Sequence, residues 1–523
     1  MSIRYFGGPI LTMEGGPRPE AVLVSGGRIT AVGTEEELKA LDPGARAVDL
    51  EGRALLPAFL DPHSHISAVA STLSLAQLGT AENFDTLTAL LRQFRQSRRI
   101  PAGEWVIGTG YDHNLLNEGV HPSRHLLDTA LPENPCLIAH ASGHMGVANS
   151  EALRRMGIGP DTRDPEGGRI VKEADGTPSG YLEETAFTRL AAGAMPRPTP
   201  EQELGDLRAA EECYLSHGYV LAQDGMTGKR EYALLSAGAR AGMRLDVVGY
   251  ADLCAAPELA GEPPVGNFSM GGYKIFLDGS PQGRTAWMSE PYAGESAYRG
   301  YPIWEDKQVT EFISTALRDG RQLLAHCNGD AAAEQYLRCF DAALTAAGAK
   351  DPHRPVMIHA QLVRRDQLER MGKLEMIPSF FAAHLWYWGD THLRNFGPRR
   401  AALISPLKWA EELGIPFTLH QDSPVIPPDA LESVWCAVNR LTRKGKTLGH
   451  ELAVSAEAAL RGVTTHAARQ YFMEAERGSI APGKRADLVI LDGDPTAVAP
   501  ERIRDLRVLE TVKGGETVYR QPS

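Results

Sequence analysis

The sequence predicts an α/β protein built on a (β/α)8 TIM-like barrel. Three observations point there. Between about residue 57 and residue 476, short apolar segments alternate with amphipathic helical stretches, and the apolar segments number eight. Several of them end in a histidine or an acid, the residues a barrel displays at its active face. Both ends of the chain, by contrast, read as short strands separated by turns. Those ends predict one small β-sandwich domain assembled from 1–56 and 477–523, flanking a barrel over 57–476 that carries an insertion over 72–210.

Composition fits this size and class. The chain has 523 residues, 43% hydrophobic and 23% charged, with a net charge of −12. That length exceeds one ordinary core but suits a large barrel plus a second module. No Lys/Arg-rich run is present, so a nucleic-acid partner is not expected. No stretch of about 20 apolar residues appears, so no membrane partner is expected either. The first eight residues, Met1-Ser2-Ile3-Arg4-Tyr5-Phe6-Gly7-Gly8, contain no apolar signal core. The cysteines, Cys136, Cys213, Cys254, Cys327, Cys339 and Cys436, are scattered without a Cys-x-x-Cys, which suggests reduced thiols and a cytoplasmic location.

Taken in order, Ala21-Val22-Leu23-Val24 and Ile29-Thr30-Ala31-Val32 flank Gly26-Gly27, a hairpin pattern. Thr34 followed by Glu35-Glu36-Glu37 predicts a capped helix start. The first barrel strand is the apolar run Leu55 to Leu60, closed by Asp61-Pro62-His63-Ser64-His65. In extended chain, residues i and i+2 share a side, so both imidazoles can reach one point. The next 150 or so residues are too long for one crossover and hold apolar pieces of their own, Glu104 to Gly108 and Cys136 to His140. They read as an insertion overhanging the active face, with Tyr111-Asp112-His113 as part of a lid.

The remaining barrel strands are expected at Tyr219–Gln223, Arg244–Gly249, Tyr273–Leu277, Gln322–His326, Pro355–His359, Met376–Phe380 and Pro416–His420, with helices such as Ala331–Ala347 and Pro398–Leu413 between the later ones. Lys274 falls in the fourth strand. His326 and His359 end the fifth and sixth, and Asp422 follows the eighth. Four histidines and one acid at strand ends, with a lysine among them, point to a divalent metal. No Gly-x-Ser-x-Gly elbow supports a serine hydrolase instead. The C-terminal strands are Ala486–Asp492, Arg507–Val512 and Glu516–Tyr519, the last two split by Gly514-Gly515.

These stretches resemble, over essentially the whole chain, the amidohydrolase superfamily and within it the amidohydrolase-3 group, which includes YtcJ-like metal-dependent hydrolases and N-substituted formamide deformylases. Pro57 to His65 resembles the group's Pro-Gly-Phe-Ile-Asp-x-His-x-His, with Ala58 in place of the glycine. Ser142-Gly143-His144 with Asn149-Ser150 resembles its Gly-His-x-x-x-x-Asn-Ser motif. Lys274-Ile275-Phe276-Leu277-Asp278-Gly279-Ser280 is the most distinctive match. His326-Cys327-Asn328-Gly329-Asp330, Ile358-His359-Ala360-Gln361 and Gly478 to Leu488 follow.

The resemblance implies a metal-dependent hydrolase acting on C–N bonds of a small amide, formamide or cyclic amide through a metal-activated hydroxide. Ester or lactone hydrolysis, deamination or decarboxylation are the alternatives on the same centre, and a metal-free binding paralogue is the alternative of another class. The resemblance places His63, His65 and Asp422 on one metal and His326 and His359 on a second. Lys274, N-carboxylated, bridges the two. The metals are expected to be two zinc ions, with Fe, Mn or Co as substitutes. Asp422 is the expected general base, although Gln421 departs from the group's usual Ser before that acid. His144 is expected to polarise the substrate carbonyl or line the pocket, with a surface histidine in the insertion as the alternative, and His384 to donate to the substrate or the tetrahedral oxyanion. The aromatic run Phe380 to Trp388 is expected to form an apolar pocket, with a packed helix start as the alternative. Asp278 and Asp330 are expected to support the ligands. A homodimer is the group-level expectation.

Overall fold

The structure, a computed structural model, describes residues 2–113, 115–140, 144–191, 198–348 and 353–522. The chain forms two compact units, one of 1–69 with 207–523 and one of 70–206.

The first unit opens with β1 (Ile3–Phe6), β2 (Ala21–Ser25), β3 (Arg28–Gly33) and β4 (Arg46–Asp49), in sheet order β3-β2-β1-β4. The β2–β3 hairpin turns on Gly26 (φ 57°) and Gly27 (φ 77°), two consecutive left-handed residues whose twist matches paired strands. Helix Glu35–Leu41 starts as expected: the Thr34 hydroxyl caps the Glu37 N–H while the Glu37 carboxylate accepts the Thr34 N–H.

The apolar run before His63 is not one strand. It divides into β5 (Ala54–Pro57) and β6 (Phe59–Leu60) at Ala58, whose N–H donates to the Asp487 carbonyl at 3.0 Å. All six of these strand residues are buried, so burial pattern in the sequence does not mark the break. Partner choice marks it: β5 joins an antiparallel sheet and β6 a parallel one.

The second unit contains β7 (Ala76–Gln77), β8 (Val106–Tyr111), β9 (Cys136–His140), β10 (Met145–Ala148), β11 (Gly168–Lys172) and β12 (Pro178–Glu184). They form one sheet, β11-β12-β10-β9-β8-β7, with β7, β8 and β9 parallel. Its core includes Leu78, Leu87, Leu91, Val106, Tyr111, Leu127, Ile138 and Val147.

The barrel strands resume in the first unit with β13 (Tyr219–Thr227), β14 (Asp246–Asp252), β15 (Phe268–Phe276), β16 (Gln322–Cys327), β17 (Val356–His359), β18 (Ile377–Phe380) and β19 (Thr418–Leu419). With β6 they make an eight-stranded parallel sheet in sequence order. The sheet curls until its two edges meet: the His65 N–H, just past β6, donates to the Ser423 carbonyl, just past β19, at 2.8 Å. That is the curl of a TIM-like barrel. Leu60, Val220, Val248, Leu324, Ile358 and Ile377, from six of the eight strands, share an apolar cluster.

One expected helix is replaced by two. Pro398–Leu413 is instead the end of helix His384–Ala401, kinked at Gly397 (φ 73°), and a separate helix Leu407–Glu412. A proline at 398 cannot donate into the preceding turn, and Ser405-Pro406 breaks the run again.

The chain closes with β20 (Leu488–Leu491), β21 (Val508–Lys513) and β22 (Glu516–Arg520), in the sheet β22-β21-β20-β5. Tyr5, Val22 and Ile29 share an apolar cluster with Leu55, Leu488, Ile490 and Val512. Among the described residues, no helix is long and apolar enough to cross a membrane.

Candidate metal centre

The barrel delivers its chemistry at the C-terminal ends of its strands. His63 and His65 follow β6, and Lys274 lies near the end of β15. His326 and His359 close β16 and β17, and Asp422 follows β19. The structure brings all six together. His63 Nε2 and His65 Nε2 each lie 3.3 Å from Asp422 Oδ1. Lys274 Nζ is 3.1 Å from His63 Nε2. His359 Nε2 is 3.0 Å from His326 Nδ1 and 3.9 Å from Asp422 Oδ2.

These residues suit a divalent ion. Asp422 Oδ1 is buried and has no hydrogen-bond partner among the described residues, although two imidazole nitrogens face it. An ion with ligands at about 2.0–2.2 Å in a tetrahedral set holds them roughly 3.3–3.5 Å apart, the spacing seen here. One donor atom from each of His63, His65 and Asp422 lies within 4.8 Å of the other two.

The surroundings keep the donors in their ligating forms. Burial and the nearby Lys274 push the His63 imidazole down to about 4 and His326 to about 3. Burial and His326 hold His359 well below its usual value. Burial alone would raise Asp422, but His63 and His65 beside it hold it well below the usual carboxylate range. Burial lowers the Lys274 ammonium to about 7, against the opposing pull of Asp422. The centre therefore sets the neutral imidazoles of His63, His326 and His359 around an ionised carboxylate and a readily deprotonated amine.

Neighbouring groups fix which nitrogen faces the ion. The His63 Nδ1–H donates to Gln223 Oε1 at 2.6 Å, and Gln223 is itself held because its Nε2 donates to the Pro62 carbonyl and the Tyr471 hydroxyl. This leaves the His63 Nε2 lone pair for the centre. The His359 Nδ1–H points to His420 Nε2 at 3.1 Å, and His420 Nδ1–H to the Ser379 hydroxyl at 2.9 Å. Asp278 accepts the N–H groups of Trp287, Asn328 and Gly329 at 2.8–2.9 Å, fixing the turn that follows His326. Asp330 accepts the Ser289 N–H at 2.9 Å and pairs with Arg364. His359 (φ 76°) and Asp422 (φ 55°) both hold left-handed backbone conformations, a strain that surrounding structure must impose.

Gln223 and His420 were not among the residues expected from sequence. His420 had a signal: it precedes Asp422 by two, the spacing that pairs His63 with His65. Gln223 had none, since a glutamine is not a metal-ligand type. Gln421, the departure from the group pattern, accepts from Tyr219 and donates to Ser433 and the Asp429 carbonyl, so its side chain is fully engaged away from the ligands.

The aromatic stretch runs into a packed helix start, and part of it lies beside the candidate ligands. Phe381 stacks on His359 at 6.2 Å and meets the buried His384 edge-on at 4.5 Å, with Trp388 4.5 Å from His384 on the first turns of helix His384–Ala401. Trp386 and Tyr387 instead pack on Trp435 and reach Glu432. His384 Nδ1 is 3.2 Å from His392 Nε2. His144 lies in the other compact unit, 65% exposed, with Nδ1 3.1 Å from Glu184; Ser142 and Gly143 of its motif fall outside the described residues.

A parallel barrel with such a donor set at its strand ends has the make-up of a metal-dependent hydrolase. The comparisons agree. The sequence profile of the Amidohydrolase family matches residues 46–519. The N-substituted formamide deformylase of Arthrobacter pascens is 30% identical over 96% of this chain and 95% of its own length. The YtcJ protein of Bacillus subtilis (strain 168) is 28% identical over 99% of both chains. Among solved structures, an uncharacterized metal-dependent hydrolase from Pyrococcus horikoshii OT3 matches with a TM-score of 0.75 at 25% identity, covering 96% of this chain and 99% of that one. The chain belongs to the Amidohydrolase family.

Proposed function

We propose that this protein hydrolyses the C–N bond of a small amide, formamide or cyclic amide. The observation that carries the reading is the convergence of four histidines and a buried lysine on Asp422, whose Oδ1 is otherwise orphaned. The similarity to a formamide deformylase along nearly the whole chain supports the substrate class.

His63, His65 and Asp422 would hold one ion and His326 and His359 a second, with zinc the best match to a histidine-rich set and Fe, Mn or Co as substitutes. Ions bound there supply Lewis acidity, polarising a carbonyl and lowering the pKa of water. Lys274, which burial makes readily deprotonated, would in its neutral form attack carbon dioxide through Nζ and lose a proton, and the resulting carbamate would offer anionic oxygen donors. Asp422 accepts the proton of the attacking water as its oxygen bonds to the carbonyl carbon. Asp422 then returns that proton to the nitrogen as the C–N bond breaks, giving a carboxylic acid (formate from a formamide) and an amine. His384 donates to the developing oxyanion, and Phe381 and Trp388 form an apolar wall for the substituent on nitrogen.

The same reading takes 1–56 with 477–523 as a small β-sandwich domain, 57–476 as the barrel and 72–210 as its insertion. The protein acts in the cytoplasm as a homodimer. The test is metal analysis together with a panel of N-substituted formamides, N-acyl amines, cyclic amides, esters and lactones. Two equivalents of zinc and preferential formamide or amide turnover are expected, and Lys274→Ala is expected to lose at least one equivalent. Turnover confined to esters or lactones overturns the substrate class.

A further inference from the structure

The second compact unit holds a side-chain cluster that the reaction above does not use. Strands β8 and β9 are parallel neighbours, with Tyr111 paired in register to His140. Both strands end there. The chain leaving β8 supplies Asp112 and His113 beside His140, so one carboxylate and two imidazoles gather at the C-terminal ends of two adjacent parallel strands.

The spacing is that of a coordination shell. His113 Nδ1 lies 3.3 Å from His140 Nε2. Asp112 Oδ1 lies 3.4 Å from His140 Nε2 and 3.8 Å from His113 Nδ1. Ligands at about 2.0–2.1 Å from a tetrahedral ion stand roughly 3.3–3.4 Å apart, so two edges of this triangle match and the third needs a few tenths of an ångström of closure. Exposure is graded in the way an open site requires. The His140 side chain is 9% exposed, and those of Asp112 and His113 are 27% exposed each, leaving one side of the triangle to solvent.

The surroundings hold the rings in place. Tyr111 is fully buried, sets its ring edge-on to His140 at 5.2 Å and brings its hydroxyl to 3.1 Å from His121 Nδ1. His121 in turn lies over His113 at 3.9 Å and stacks on Tyr181 at 4.2 Å. Three imidazoles and two tyrosines thus pack together beside the Asp112 carboxylate and restrain the rings of the two candidate histidine ligands.

We infer that Asp112, His113 and His140 form a second cation site, separate from the barrel centre, that binds one divalent first-row transition ion of the zinc type with solvent completing its shell. Two imidazoles with one carboxylate select such an ion over Mg²⁺ or Ca²⁺, which take oxygen donors. The inference does not rest on the proposed reaction, since the residues and the compact unit are different.

The test is zinc-edge anomalous diffraction from crystals of the full chain equilibrated with zinc chloride. The expected result is a peak about 2.0–2.2 Å from His113 Nδ1, His140 Nε2 and Asp112 Oδ1, in addition to density at the barrel residues. In solution, His113→Gln combined with His140→Gln is expected to lower bound zinc by one equivalent per chain. His65→Gln is expected to leave the insertion peak in place, and a hundredfold excess of calcium to leave it undiminished. Crystals with zinc at the barrel and none at this cluster overturn the inference, as does an unchanged zinc equivalence in the double variant. Displacement by calcium overturns the assignment of ion class. The wild-type diffraction measurement decides the question even if the double variant fails to fold.

Discussion

Gly225 offers a way to move one metal ligand without touching it. A Cβ added at Gly225 would sit 2.5 Å from His63 Cε1, 2.9 Å from His63 Nδ1 and 3.0 Å from the Ser64 carbonyl oxygen. Ordinary carbon contacts lie near 3.5–4.0 Å, so in Gly225→Ala the ring must retreat by about 1 Å. The backbone cannot yield easily, because the Gly225 N–H donates to the Ser64 carbonyl at 2.8 Å. The ring is held by Gln223 on one side and faces Lys274 and Asp422 on the other. A displacement of half a metal–ligand bond length should weaken zinc binding by about 10–100-fold, with about 1–3 kcal/mol of overpacking strain. The residual turnover of zinc-saturated enzyme should fall about a hundredfold for a 1 Å misplacement. Zinc affinity is measured by competition with a chromophoric chelator, and turnover at saturating zinc. Gly205→Ala is the control: its added Cβ meets nothing within 4 Å, and in the interior of helix Pro200–Ser216 it should stabilise by about 0.5–1 kcal/mol. A folded Gly225→Ala protein with wild-type zinc affinity would refute the placement of His63 against the centre.

Three further outcomes are expected. Asp422→Asn should retain metal by elemental analysis yet lose about 10²–10⁴-fold in kcat, and undiminished turnover would remove Asp422 as the base. Gln223→Leu deletes the acceptor of the His63 Nδ1–H, so zinc affinity should fall about 10–100-fold in the same chelator competition while His65 and Asp422 remain. His466 is lowered to about 4 by burial, and its Nδ1–H donates to the Phe417 carbonyl at 3.0 Å. Below about 6.5 the unfolded chain takes up a proton that the native one refuses until about 4, so stability should fall across that window as pH drops, by on the order of 1–3 kcal/mol. Urea titrations at pH 7 and pH 5 should show a smaller difference for His466→Gln than for wild type.

Much of the barrel was legible because its strands are buried on both faces and read as unbroken apolar runs, as at Gln322–Cys327 and Val356–His359. The hairpins were legible because Gly26-Gly27 and Gly514-Gly515 supply the left-handed pairs that two-residue turns demand. The division at Ala58 was not, because both sides of it are equally apolar and only the hydrogen-bonding partner changes. In the candidate site, the histidines and Lys274 announced themselves by residue type and position. Gln223 did not: its role depends on lying 2.6 Å from His63 once β13 pairs with β6, about 160 residues apart in the chain, a proximity that no local pattern encodes. Phe381 and Trp386 sit five residues apart in one aromatic run, yet one stacks on a candidate ligand and the other meets Trp435 edge-on, on either side of the start of the helix at His384.

The joint at Ala58 also sets an order of events during synthesis. Strand β5, which leads into His63 and His65, finds its antiparallel neighbour in β20, and the carboxylate those histidines face is Asp422. At about 5–20 residues per second, tens of seconds separate the emergence of the first ligands from that of the last. Throughout that interval the early histidines lack their carboxylate, and β5 lacks its antiparallel neighbour. The nascent chain therefore cannot trap an ion in its finished geometry, and metal acquisition becomes a late, essentially whole-chain event.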